Sequence, residues 1–191
     1  MNLRADGREN RLRLIEVAEA VFADQGFDAP LELIAKRTGV SRMTLYRHFK
    51  DRETLCFAVL ERNVLKLESK AEALRDEPNA CAEIIDMMMV MFTTNQGMVD
   101  GLTRQPEHQA QLNSLRQRVV DLLTEPLARG QAAGLIKKDI EKEDLALVMY
   151  MLGGVVGEGT LKARTARVHR ALRILQYGIL NASDSKSGSQ S

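Results

Sequence analysis

The chain has 191 residues, of which 45% are hydrophobic and 28% charged, with two cysteines and a formal net charge of +1. This composition can bury a core, which excludes a disordered polymer, and the near-neutral balance confines any nucleic-acid function to a local patch. Cys56 and Cys81 form no C-x-x-C pair and have no histidine at metal-ligand spacing, so a zinc site or disulfide scaffold is not supported and no cofactor or metal is implied.

Apolar residues recur at three- and four-residue steps throughout, and no strand signal or internal repeat interrupts them. Leu14, Val17, Ala18, Val21 and Phe22 place a stripe on a first helix over residues 8–25, with Gly26 where a left-handed cap belongs. Pro30 suits the first turn of a second helix, which carries Leu31, Ile34 and Ala35 and stops at Thr38 and Gly39. Ser41 caps a third, short helix over residues 42–49. Leu60, Val64, Leu67, Ala71 and Leu74 give the stripe of a long fourth helix that ends before Pro78.

Ile84, Met88, Met91 and Phe92 mark a segment within residues 84–95, and one long helix is expected over residues 106–133, closed by Gly134. Asp139 is placed to cap the next helix, with Glu141, Glu143 and Asp144 in a first turn whose dipole favours negative charge. That helix runs to about residue 160, a last one covers residues 163–180, and the polar residues 183–191 are expected to be a disordered tail. No apolar run approaches the ~20 residues that span a bilayer. Residues 1–10 hold no signal-peptide core, so a cytoplasmic protein with no membrane partner is expected.

The functional signal lies between Leu31 and Phe49. Two short helices joined by a glycine turn form a helix-turn-helix, with Ile34, Ala35, Val40 and Leu45 between the helices and Arg42, Thr44, Tyr46, Arg47 and His48 facing outward. From Lys36 to Arg52 six basic residues, Lys36, Arg37, Arg42, Arg47, Lys50 and Arg52, stand against the single acid Asp51. Such a concentration on a neutral chain is the electrostatic footprint of double-stranded DNA. Arg4, Arg8 and Arg11 supply either an N-terminal arm against the DNA backbone or a free, flexible one.

Ile34-Ala35, Gly39-Val40-Ser41, Thr44-Leu45-Tyr46-Arg47-His48-Phe49 and Arg52-Glu53-Thr54-Leu55 together resemble the tetracycline-repressor (TetR) family over about residues 8–60. The resemblance implies an all-α fold of about nine helices, acting as a homodimer. A three-helix DNA-binding domain would occupy residues 1–50, and a helical effector-binding and dimerisation domain residues 51–182. It makes Arg42, Met43 and Thr44 base-reading positions on a helix opened by Ser41, and it gives Tyr46, His48 and Arg52 phosphate contacts. Arginine stands at residue 52 where the family often has lysine, and Ala29-Pro30 replaces the Ser or Thr that often caps the second helix, leaving that role to Asp28.

For the effector, Met88, Met91, Phe92, Asn95, Leu115 and Met149 are candidate pocket residues, since methionine suits adaptable binding surfaces; plain bundle core is the alternative. Gly153, Gly154, Gly157 and Gly159 in a helix interior suggest close backbone approach to a neighbour, or else a frayed end. With Leu172 and Leu175, Gly153, Gly154 and Gly157 are the candidate dimer interface. An enzyme reading finds no support, since His48, His108 and His169 are scattered and no G-x-S-x-G, P-loop or H-E-x-x-H occurs. The expectation is a ligand-responsive repressor of a near-palindromic operator, with an activator or a partner-regulated protein of the same fold as the alternative.

Overall fold

The computed structural model describes residues 3–156 and 159–177, and every regular element among them is helical. In chain order these are α1 (Leu3–Gln25), α2 (Leu31–Thr38), α3 (Arg42–His48), α4 (Arg52–Ala73), α5 (Ala80–Thr103), a 3-10 turn (Pro106–His108), α6 (Gln109–Leu122), α7 (Thr124–Ala132), α8 (Lys142–Val156) and α9 (Leu161–Tyr177). Residues 178–180 of the expected last helix, the tail at 183–191 and Gly157 lie outside the described residues.

Helix α5 is the central strut and touches α1, α4, α6, α7, α8 and α9. One apolar cluster joins Leu14, Ala18 and Phe22 of α1, Ile34 of α2 and Leu45 of α3 to Leu55 and Leu60 of α4, Met98 and Leu102 of α5, and Leu112 and Leu115 of α6. A second gathers Leu67, Ile84, Met88, Leu123 and Leu127, and a third Met89, Leu152, Val156 and Val168. The core therefore runs without a break from the N-terminal three helices into the larger helical body.

Several boundaries differ from those expected. Helix α1 begins at Leu3, and Arg11 lies over the Phe49 ring, 5.1 Å from its centroid, so Arg8 and Arg11 sit on a helix rather than an arm. Pro30 occupies the N-cap of α2, where no side chain accepts a capping bond, so Asp28 does not cap it.

Helix α5 continues through Gly97 and Gly101, well beyond residue 95. A Cβ on Gly101 would lie 2.1 Å from Cγ of Phe27, and one on Gly97 3.4 Å from Cα of Gly26. The two glycines thus form a flat seat for the α1–α2 turn, and packing outweighs their poor helix propensity.

The single helix expected over residues 106–133 is broken around Leu123 into α6 and α7. Pro126 explains the break, because it has no N–H to donate and its ring clashes with the preceding turn. Asp139 does not cap α8; the Glu141 backbone N–H instead donates to the Asp144 carboxylate at 2.8 Å. Thr160 Oγ1 caps α9 by accepting from Ala163 N at 3.3 Å.

Candidate functional site

The N-terminal head is assembled by local signals that the structure bears out. Gly39 has φ 77°, and its N–H closes α2 onto Lys36 O. Ser41 Oγ accepts from Thr44 N at 3.1 Å, opening α3. Leu45 and Phe49 are fully buried on the inner side of α3. Arg13 of α1 donates to Thr38 O at 2.9 Å, tying α1 to the end of α2.

The outer side of α3 carries Arg42, Met43, Tyr46 and Arg47, all exposed, with Met43 72% open to solvent. Arg42 pairs with Glu32 of α2 at 3.0 Å, and its guanidinium lies 5.5 Å from the Tyr46 ring centroid. Both groups of that ion pair are well exposed, so the pair is worth at most about 1 kcal/mol and yields readily to a stronger anion. Thr44 shares its hydroxyl with Ser41 at 2.9 Å, and His48 leans on Phe49, half-buried. A short helix with one apolar side seated in the core and a cationic, aromatic and apolar outer side can enter a major groove.

Arg52 is not part of that outer face. Its Nη1 donates to Phe27 O at 2.6 Å and also to Ala29 O, while its guanidinium stacks on the Phe27 ring at 5.6 Å. It anchors the start of α4 to the α1–α2 turn, and only donors left over from that tie are free for phosphate. The partners are 23 and 25 residues upstream, so no local signal shows this role. Asp51 caps the same helix, accepting from Thr54 N at 2.8 Å. Burial pushes the Asp51 carboxyl up, but the Thr54 hydrogen bonds and the Lys50 charge outweigh it and hold its pKa below 3.8.

A cavity of about 930 Å³ lies in the body, walled by α4, α5, α6 and α8. Met88, Met91, Phe92, Asn95 and Leu115 all line it, as do Asn63 of α4 and Gly153 and Gly154 of α8. Met149 lies on α8, and its side chain is outside the description. Asn63 was missed by periodicity, which treats a polar residue in an apolar stripe as an interruption.

Across one side of the body, Arg118 of α6 bridges Glu61 at 2.6 Å and Glu68 at 2.8 Å on α4. Those hydrogen bonds raise its already high pKa.

The glycines of α8 do not pack against a helix backbone within the protomer. A Cβ on Gly153 would meet only Gln96 Oε1 at 3.8 Å, and one on Gly154 would meet nothing within 4 Å. Met151 and Val155 of α8 and Leu161, Ile174 and Leu175 of α9 are exposed apolar residues, whereas Leu147 and Tyr150 of α8, also exposed, line the cavity. Leu172 is half-buried against the Met89 cluster instead. Among the described residues no helix is long and apolar enough to cross a membrane.

Residues 14–59 match the family described as bacterial regulatory proteins, tetR family. An HTH-type transcriptional regulator of Staphylococcus aureus (strain bovine RF122 / ET3-1) is 33% identical over 88 residues, which is 46% of this chain and 48% of that protein. A counterpart in strain USA300 is 32% identical over the same shares. The chain thus spans about half the length of the curated relatives it matches.

Over a longer stretch, the crystal structure of a TetR transcriptional regulator from Streptomyces coelicolor aligns with a TM-score of 0.67 and 27% identity, covering 91% of this chain and 99% of that one. A TetR transcription regulatory protein from Mycobacterium vanbaalenii gives 0.67 and 28%, over 86% and 97%. The N-terminal module is therefore that of the tetR family, and the chain has the fold of TetR-family regulators, a family of regulators and not of enzymes.

Proposed function

We propose that this chain, TetR-like in module and fold, is a ligand-responsive transcriptional repressor working in the cytoplasm. As a homodimer it holds a near-palindromic double-stranded operator, and a small apolar or amphipathic effector in the 930 Å³ cavity releases it. The observation that carries this reading is the double duty of α4. Its first residue, Arg52, is tied to the head at Phe27 O, while Leu60, Asn63, Val64 and Leu67 farther along the same helix line the cavity. A ligand that displaces α4 therefore moves the head that presents α3, provided the ligand binds the two arrangements with different affinity.

Residues 1–50 serve DNA in this scheme and residues 51–182 serve the effector and the partner protomer. Arg42, Met43 and Thr44 address base edges, where exposed Met43 suits a thymine methyl group, and Tyr46, Arg47 and His48 address phosphates. Two recognition helices must reach successive major grooves, ~34–36 Å apart or a multiple of that distance. Exposed Met151 and Val155 of α8 with Leu161, Ile174 and Leu175 of α9 supply the self-complementary surface for the second protomer.

Selection of fragments of the source genome on the purified protein at near-physiological salt tests this function, beside an Arg42→Ala/Tyr46→Ala control. Recovery of a few near-palindromic fragments by the unaltered protein alone is expected. Recovery of the same unspecific DNA by both, or of none, overturns it. Within that assay Tyr46→Phe weakens all sequences similarly, whereas Arg42→Ala changes the base preference; an unaltered preference profile refutes the base-reading role of Arg42.

A further inference from the structure

The cavity wall changes character with depth. Its charged lining residues are Arg116 and Glu143, and neither is buried. The buried lining is apolar apart from Asn63 and Asn95, which are 3% and 5% exposed. Asn63 Oδ1 accepts from Lys66 Nζ at 3.1 Å. An ammonium donates and never accepts, so this bond orients the amide and leaves Nδ2 as its donor end. Neither Nδ2 of Asn63 nor Oδ1 of Asn95 has a hydrogen-bond partner. A buried donor or acceptor without a partner is destabilising, and leucine would fill the same bundle positions without that cost.

We propose that Asn63 and Asn95 select a neutral, amphipathic ligand, one that brings a hydrogen-bond acceptor such as a carbonyl to Asn63 and an N–H or O–H donor to Asn95. Ionised molecules of the same shape are rejected. This rests on the cavity being the effector site. A carboxylate or ammonium carried to that depth meets no opposite charge in the buried wall, and desolvating an unpaired ion costs far more than desolvating an amide. The nearby Lys66 ammonium does not change this, because it is already held by Glu19 at 3.1 Å and by Asn63. The alkyl part of the ligand lies against Met88, Met91, Phe92 and Leu115, where flexible thioethers accommodate its shape.

Calorimetric titration of the full chain at pH 7 with decanamide, decanoate and decylamine separates the cases, since the three share a chain and differ in head-group charge. Decanamide is expected to bind roughly tenfold or more tightly than either ion. Asn63→Leu and Asn95→Leu each weaken decanamide roughly two- to tenfold, the loss of one neutral hydrogen bond. In the ligand-free protein Asn95→Leu raises Tm by roughly 2–4 °C, because an unpartnered buried group is removed, whereas Asn63→Leu gains less because it also breaks the Lys66 hydrogen bond. Equal or tighter binding of decanoate or decylamine overturns the selection of neutral ligands while keeping the cavity as the effector site. Binding of none of the three overturns both, and decanamide affinity untouched by the two leucine variants removes the asparagines from the site.

Discussion

Gly101→Ala tests how the head is held to the body. The new Cβ would fall 2.1 Å from Phe27 Cγ and 2.6 Å from Phe27 Cβ, so the clash is with the root of the side chain and the ring must move bodily. Overpacking of this kind costs about 1–3 kcal/mol, and alanine returns about 1 kcal/mol of helix propensity. Contact with the root of the ring favours the upper part of that range, leaving a net destabilisation of about 1–2 kcal/mol. For a chain of this size Tm should fall by roughly 2–8 °C. Urea unfolding followed by circular dichroism at 222 nm, at one fixed protein concentration, reads the change, as the chain has no tryptophan. In a Phe27→Gly background, which removes Cγ and Cβ alike, the side-chain obstacle is gone and Gly101→Ala becomes stabilising by about 1 kcal/mol, which gives a coupling of about 2–3 kcal/mol in the double-mutant cycle. Stabilisation by Gly101→Ala alone, or a coupling below about 0.5 kcal/mol, would refute the seat.

Asp51→Ala removes the cap of α4 and should lower stability by about 0.5–2 kcal/mol in the same assay. Because the folded Asp51 pKa is depressed below 3.8, the folded state gives up its proton more readily than the unfolded chain. The stabilisation is therefore complete above about pH 4 and is lost as pH falls through the depressed pKa; urea midpoints from pH 6 to 3 should decline less steeply in Asp51→Ala than in the unaltered protein. Cys56 and Cys81 are fully buried, with burial pushing the first thiol up to about 12 and raising the second. Neither should react with a thiol reagent at pH 8 until urea unfolds the chain, and rapid native-state labelling would contradict that burial. Ser41→Ala, which strips the α3 cap, should cost about 1 kcal/mol and weaken DNA retention.

The head was legible because its signals are local. Gly39 needs its own left-handed φ, Ser41 caps the helix three residues ahead of Thr44, and the acids and bases of the patch are close in sequence. The extent of α5 was hidden for the opposite reason. Gly97 and Gly101 argue against a helix until Gly26 and Phe27, more than 70 residues upstream, are laid against them. Arg52 reads as a phosphate contact by resemblance and becomes a tie only through carbonyls of a distant turn. The methionine segment announced an adaptable surface, whereas Asn63 stayed invisible until its helix was placed beside α5 and α6. Pro126 was a local signal that the apolar periodicity around it concealed.

The α5 seat bears on how such a protein can be recombined. Met98 and Leu102 share one apolar cluster with Leu14, Phe22 and Leu55, and Gly97 and Gly101 receive the turn that Arg52 grips. A head cut at residue 50 would leave its floor behind, presenting Phe27 to solvent and the severed cluster to aggregation. Grafted onto a foreign body, it would meet whatever side chains that body carries at those two glycine positions. The portable cassette is accordingly the head together with the Gly97-to-Leu102 stretch of α5, and a designer of chimeric regulators who exchanges one must exchange the other.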